Sequence, residues 1–142
     1  MAQGLPDWHR KVLLFYGSAI QDAGTTDCPD GVETTLFEVE GQGIIYDGLV
    51  MSGNSDPSVT YIRIKVDDIS IFYRTVLQLF NDNITGNHNF RMSVARYIAA
   101  SDTFSALINA PITFDVKFNI SIKQATGVQK TIYHNLLYAK TP

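Results

Sequence analysis

The stretch Ile112-Thr113-Phe114-Asp115-Val116-Lys117-Phe118-Asn119-Ile120-Ser121-Ile122-Lys123 decides the fold class. Phe114, Val116, Phe118, Ile120 and Ile122 alternate with Asp115, Lys117, Asn119, Ser121 and Lys123. A strand sends successive side chains to opposite faces, so one side of this segment is apolar and the other polar. Sheets packed on one face only carry such alternation, which points to an antiparallel sandwich or barrel. After a tight turn at Ala125-Thr126-Gly127-Val128, the segment Thr131 to Ala139 places Ile132, His134, Leu136 and Tyr138 on one face. Ile112 to Ala139 therefore reads as one long terminal hairpin.

Working outward, Val59 to Val66 alternates Ile62, Ile64 and Val66 against Tyr61, Arg63 and Lys65. Asp67-Asp68 turns it into a strand at Ile69 to Tyr73. From Arg74 to Phe80 the period changes, and Val76, Leu77 and Phe80 predict one short helix over 74–80. Asn81 to Asn89 reads as a polar loop. Phe90, Met92 and Val94 open a further strand, and Ser101 to Ile108 another. Towards the N-terminus, Val12 to Tyr16 reads as a buried strand, and Gln21 to Gly31 as a loop because Gly24, Pro29, Asp30 and Gly31 punctuate it. Thr35 to Glu40 and Ile44 to Met51 are strand-like, with Asp47-Gly48 a hairpin turn or a bulge. The sum is an all-β fold: an antiparallel, jelly-roll-like sandwich of about eight strands and one helix. A chain of 142 residues suits a single domain, here 1–142 with an N-terminal arm over 1–10.

Charged residues make up 18% of the chain, below the ~25% of an average protein. A charge-poor exterior suits broad protein contact, because interface cores are depleted in charge. The net charge is −3 and no Lys/Arg cluster occurs, so nucleic acid and anionic membranes are not expected partners. Cys28 is the only cysteine, which excludes an internal disulfide and suits folding in a reducing cytoplasm. No secretion signal and no apolar run of the ~20 residues that span a bilayer is visible.

Chemistry is hard to find. Cys28 lies between acidic neighbours Asp27 and Asp30, which raise a thiol pKa and leave it unreactive. His9, His88 and His134 have no metal-ligand spacing. His134 shares a face with Ile132 and Leu136, so it reads as a hydrogen-bonded histidine at the core edge. Asn81-Asp82-Asn83-Ile84-Thr85-Gly86 begins like a calcium loop, but Met92 stands where the bidentate glutamate belongs. Glu38 with Glu40, and Asp67 with Asp68, are solvent-facing carboxylates on this reading. No nucleophile elbow or phosphate-cradling glycine loop is present. The expectation is no enzymatic activity, no cofactor and no metal. Trp8 reads as a lid on the core or as an anchor into a neighbour.

The segment order from Val59-Thr-Tyr-Ile-Arg-Ile-Lys-Val-Asp-Asp68 through Ile69-Ser-Ile71, a short amphipathic piece, Ile112 to Lys123 and Ile132-Tyr-His-Asn-Leu-Leu-Tyr138 resembles small β-sandwich structural proteins of tailed bacteriophage virions. The resemblance covers roughly Gly43 to Tyr138. It implies a jelly-roll-like module assembled in the host cytoplasm and located in the virion, a capsid cement or decoration protein, or a tail or baseplate component. Its implied partners are other virion proteins and copies of itself, a homo-oligomer with a trimer favoured. On this reading the contacts run through Trp8, His9 and Arg10 of the arm and through Asp82, Asn83 and His88, with the loops at 21–31 and 81–89. The alternative is a carbohydrate- or small-ligand-binding sandwich whose exposed tyrosines form the site, and a third is a cupin-like enzyme with a His/Glu metal set.

Overall fold

Alternation in the deciding stretch is realised as layering. Phe118, Ile120 and Ile122 are wholly buried, and each such side chain contributes about 1.5–3 kcal/mol on leaving water. The computed structural model describes residues 19–85, 91–109 and 111–141. In chain order these form β1 (Ile20–Cys28), β2 (Thr34–Glu40), β3 (Gly43–Ser52), β4 (Thr60–Val66), β5 (Ile69–Thr75), α1 (Val76–Thr85), β6 (Met92–Ile98), β7 (Thr103–Ile108), β8 (Ile112–Phe114), β9 (Lys117–Gln124) and β10 (Lys130–Lys140).

The larger sheet runs β1-β10-β3-β7-β6, with β8 also paired to β3; the smaller runs β2-β9-β4-β5. Every strand pair is antiparallel. Taken as pairs, β1 with β10, β2 with β9, β3 with β7 and β8, and β4 with β5 form one ribbon folded alternately into two layers. That is jelly-roll topology, as expected. One core fills the space between the sheets. At its centre Phe37 and Phe118 of the smaller sheet meet Tyr138 and Phe114 of the larger, with ring centroids 5.2 Å (Phe37–Tyr138) and 6.0 Å (Phe114–Phe118) apart.

Four expectations need correction. First, Ile112 to Lys123 is not one strand. β8 belongs to the larger sheet and β9 to the smaller, and the chain changes layer at Asp115-Val116, which leaves Val116 62% exposed. Second, the terminal hairpin does not form: β9 pairs with β2 and β4, β10 with β1 and β3. Alternation reports which face is dry and says nothing about which strand lies alongside. Third, Gln21 to Cys28 is strand, not loop. It pairs along its length with Lys130 to Leu137, as an edge held in a backbone ladder without an alternating apolar face. Fourth, α1 runs from Val76 to Thr85 and so includes Asn81, Asp82 and Asn83, which were expected in a loop. Its start is set by a capping box: the Gln78 backbone N–H donates to Thr75 Oγ1 and the Thr75 N–H to Gln78 Oε1, both at 3.0 Å. The buried face of the helix uses Val76 and Leu79.

Asp47-Gly48 is no hairpin; β3 runs straight through it, and its bulge falls at Tyr46, opposite the step from Leu137 to Tyr138. The expected strand at Val12 to Tyr16 and the arm over 1–10 lie outside the described residues.

Two turns hold the layers in register. Asp67 and Asp68 both have positive φ (52° and 65°), which closes β4 onto β5. The Asp67 carboxylate then reaches the layer change. Its Oδ1 accepts the backbone N–H of Val116 at 2.7 Å and of Lys117 at 2.9 Å, and both oxygens lie 3.2 Å from the Asp115 nitrogen. At the opposite corner the buried Gln124 amide donates to the carbonyls of Cys28 (2.9 Å) and Val128 (2.8 Å).

Gly43 marks a tight crossing of β3, β8 and β10, where an added Cβ would run into the Ala139 carbonyl oxygen and the Phe114 ring. Gly43→Ala should lower the unfolding free energy by about 1–3 kcal/mol in a urea titration; an unchanged midpoint would mean that the crossing is looser than described. Asp67 gives a pH signature. The N–H groups of Lys117 and Val116, and then of Asp115, hold its carboxyl below the ordinary aspartate range against a smaller opposing effect of desolvation. A lowered folded pKa adds stability that is complete above the unfolded value of about 3.9 and is lost as pH falls through the folded one. Asp67→Asn tolerates positive φ but cannot titrate, so acid unfolding should cost it less stability than the wild type below about pH 4. Parallel curves for the two proteins would show that the clamp is unimportant.

Candidate functional site

A jelly roll can work through its interior, its loops or its outer faces. The interior here is filled. Ile45, Val50, Ile62, Ile64, Phe104, Phe118, Ile120 and Ile132 are among its wholly buried side chains. Among the described residues no group of three or more His, Cys, Asp or Glu is placed to hold a metal ion.

His134 sits at the core edge as expected, 6% exposed, with Nε2 2.7 Å from Asp22 Oδ1. A carboxylate accepts, so Nε2 carries the hydrogen of this bond, and the buried Nδ1 has no hydrogen-bond partner. Cys28 closes β1, fully buried, its thiol donating to the Thr26 carbonyl at 3.6 Å. Burial pushes its pKa up to about 11, with the Asp27 charge adding to the rise and a hydrogen bond from Thr34 opposing it. The neighbouring Asp27 acts in the expected direction, and desolvation is the larger cause.

Of the residues expected at an interface, Trp8, His9, Arg10 and His88 lie outside the described residues. Asp82 is on α1, and its carboxylate is engaged by Arg74, with Nε at 2.8 Å and an NH2 donor at 2.9 Å. Asn83 is also on the helix. Of this set the structure thus places Asp82 and Asn83, both on α1, and within the loop expected over 21–31 the segment Gln21 to Cys28 belongs to the edge strand β1.

The two outer faces differ sharply. On the smaller sheet, register points Glu38 and Glu40 of β2, Lys117 and Lys123 of β9, and Arg63 and Lys65 of β4 away from the core. They form a linked polar surface. Arg63 Nε lies 2.9 Å from Glu33 Oε1, Lys117 Nζ lies 2.9 Å from Asp68, and Asn119 donates to Glu38 at 2.9 Å. The Asp68 carboxylate raises the Lys117 pKa. Asn119 and Ser121 are buried beneath this layer although they point outward. Tyr61 and Tyr73 stack at 5.3 Å, and the Arg63 guanidinium covers the Tyr73 ring at 4.2 Å.

The outer face of the larger sheet is nearly free of charge. Register turns Leu49 and Met51 of β3, Leu107 of β7, and Tyr133, Asn135 and Leu137 of β10 outward. Leu107 and Leu137 are 37% and 38% exposed. Between them runs an open trough of about 420 Å³ lined by Gln21, Asp47, Leu49, Leu107, Asn135 and Leu137. Its polar groups are largely spoken for: Gln21 donates to Asn135 at 3.0 Å, and Asp47 accepts its neighbour's Gly48 N–H at 2.8 Å. The sequence carried this face in plain view as Leu49, Met51, Leu107 and Leu137, but only register puts those residues side by side.

The chain matches no protein-family profile and no curated protein. Among solved structures it is similar to the crystal structure of the infectious bursal disease virus VP2 subviral particle, with 15% identity over 89% of this chain and 33% of that one and a TM-score of 0.35. The chain thus spans about a third of that protein's length.

The thiol geometry is directly checkable. Ellman's reagent at mildly alkaline pH should find no reactive thiol in the folded protein and one per chain in denaturant; rapid reaction of the native protein would contradict the burial of Cys28.

Proposed function

We propose that this chain is a structural protein of a virus particle, of the tailed-bacteriophage kind that its sequence resembles. It acts as a capsid cement or decoration protein, or else in the tail or baseplate. It works by contact and not by turnover, in the virion after assembly in the host cytoplasm. Its partners are other virion proteins and further copies of itself, with a trimer the favoured state.

The observation that carries this reading is the pairing of a filled jelly-roll interior with one broad outer face almost devoid of charge. Jelly rolls serve capsids, lectins and cupin enzymes alike, so the fold leaves the role open and the surfaces must decide. A cupin-like enzyme needs a hollow lined by metal ligands, and this interior is packed with aliphatic and aromatic side chains. A lectin needs an aromatic face open to a sugar ring. Tyr73 is 43% exposed, but its ring is engaged by Arg63 and Tyr61. A large uncharged face is what lasting protein contact requires, because no ionic group has to be stripped of water there.

Mass spectrometry of purified particles from the encoding virus should find the chain at many copies per particle. Its absence from particles, with abundance in infected cells, would refute the assignment. A broad glycan array should show no saturable binding; a hit abolished by Tyr73→Ala would move the balance to the sugar-binding alternative.

A further inference from the structure

We propose that the outer face of the larger sheet is the surface through which copies of this chain associate, with Leu49, Leu107 and Leu137 at the centre of the contact. This deepens the self-association part of the reading above and does not depend on the virion part.

Charge selects the occupant. Each chain carries a net charge of −3, so two copies meet with least repulsion and desolvation where the touching surfaces are themselves neutral. The smaller sheet's outer face, with Glu38, Glu40, Arg63, Lys65, Lys117 and Lys123, would have to strip several ions of water in any close contact. Among the described residues the outward charges on the larger sheet are Asp27 near one end, Arg96 on the edge strand β6, and Asp47, whose carboxylate is turned onto its own backbone. Between them lie leucine, methionine, tyrosine and amide side chains. Such a face complements itself: a leucine meeting a leucine of a second copy meets no like charge, which closed symmetric assemblies require.

The sheet edges favour the same answer. Edge strands invite lateral pairing unless charge or cover blocks them. Here β1 carries Asp22 and Asp27, and β2 carries Glu38 and Glu40. Strand β6 is covered by α1, where Phe80 stacks on Tyr97 at 4.3 Å. Three of the four edges are guarded in this way, β5 being the fourth, and the neutral face is the broad route that remains. Leu107 and Leu137, each more than a third exposed, would then be the side chains that gain most from burial.

Sedimentation of the full chain tests this. The wild type should run as a closed oligomer, and Leu107→Asp should weaken association on the order of 100-fold or more by placing an unpaired charge in the contact. Its circular dichroism should stay that of the wild type, since the side chain points away from the core, while its melting should lose the concentration dependence that association confers. Glu38→Lys, on the opposite face, should leave the oligomer intact. A wild type that stays monomeric at high concentration overturns the proposal, as does a folded Leu107→Asp protein that associates as tightly as the parent.

Should Leu107→Asp fail to fold, Leu107→Cys provides the reading against the silent Cys28 background. A bulky maleimide should label it in dilute solution and be excluded from concentrated protein. Equal labelling at every concentration overturns the proposal. Exclusion from a monomer at every concentration also overturns it, by showing that the chain covers this face itself. Particle composition is a separate measurement, so failure of the virion reading and failure of this one would be told apart.

Discussion

The Asp67 carboxylate holds the place where the chain changes layer. β8 lies in one sheet and β9 in the other, and only Asp115 and Val116 separate them. A step that abrupt leaves consecutive backbone N–H groups without ladder partners. One side chain supplies them, accepting from Asp115, Val116 and Lys117, while the Asp67 N–H returns a bond to the Lys117 carbonyl at 2.8 Å. The Gly41 N–H adds a further bond to the Val116 carbonyl at 2.7 Å. The β4–β5 turn, the corner before β3 and the entry to β9 are thus tied at one point. Strand β9 is central to its sheet, so the pairing of β2, β4 and β5 around it inherits that anchor.

Layering of this kind leaves two outer faces, and the protein treats them differently. One is a web of ion pairs and hydrogen bonds whose members satisfy one another. The other is a row of half-exposed aliphatic side chains with amides between them. Exposed ion pairs contribute little to stability, commonly under about 1 kcal/mol each. The charged face is better understood as a surface that stays in water. The neutral face has no such commitment, and the functional proposals follow from that contrast rather than from the fold, which many unrelated activities share.

Much of the sandwich is legible in the residues, and the misses have physical causes. Val59 to Val66, the Asp67-Asp68 turn and His134 at the core edge read correctly because each is a local pattern with a local consequence. Strand β1 does not, since Gly24, Thr25 and Asp27 carry no apolar stripe; this edge strand is held along its length by its ladder to β10. The end of α1 is similarly hidden, because Asn81 and Asp82 look like loop residues. Its beginning was visible in Thr75-x-x-Gln78, a capping box that outranks the apolar spacing of Val76, Leu77 and Phe80. Of the expected interface residues, Asp82 and Asn83 were read in a loop and lie on this helix.

By itself the order of residues determined which side of each strand is dry, because alternation acts within a few residues and needs no partner. It also determined the sharp turn at Asp67-Asp68. Tertiary structure decided who lies beside whom: that Phe114 and Phe118 belong to different sheets, that β9 and β10 never pair, and that Leu49, Leu107 and Leu137 share one surface. Strand pairing is a contest among many segments of similar pattern, settled by how the whole ribbon closes over a single core. No local stretch contains that information.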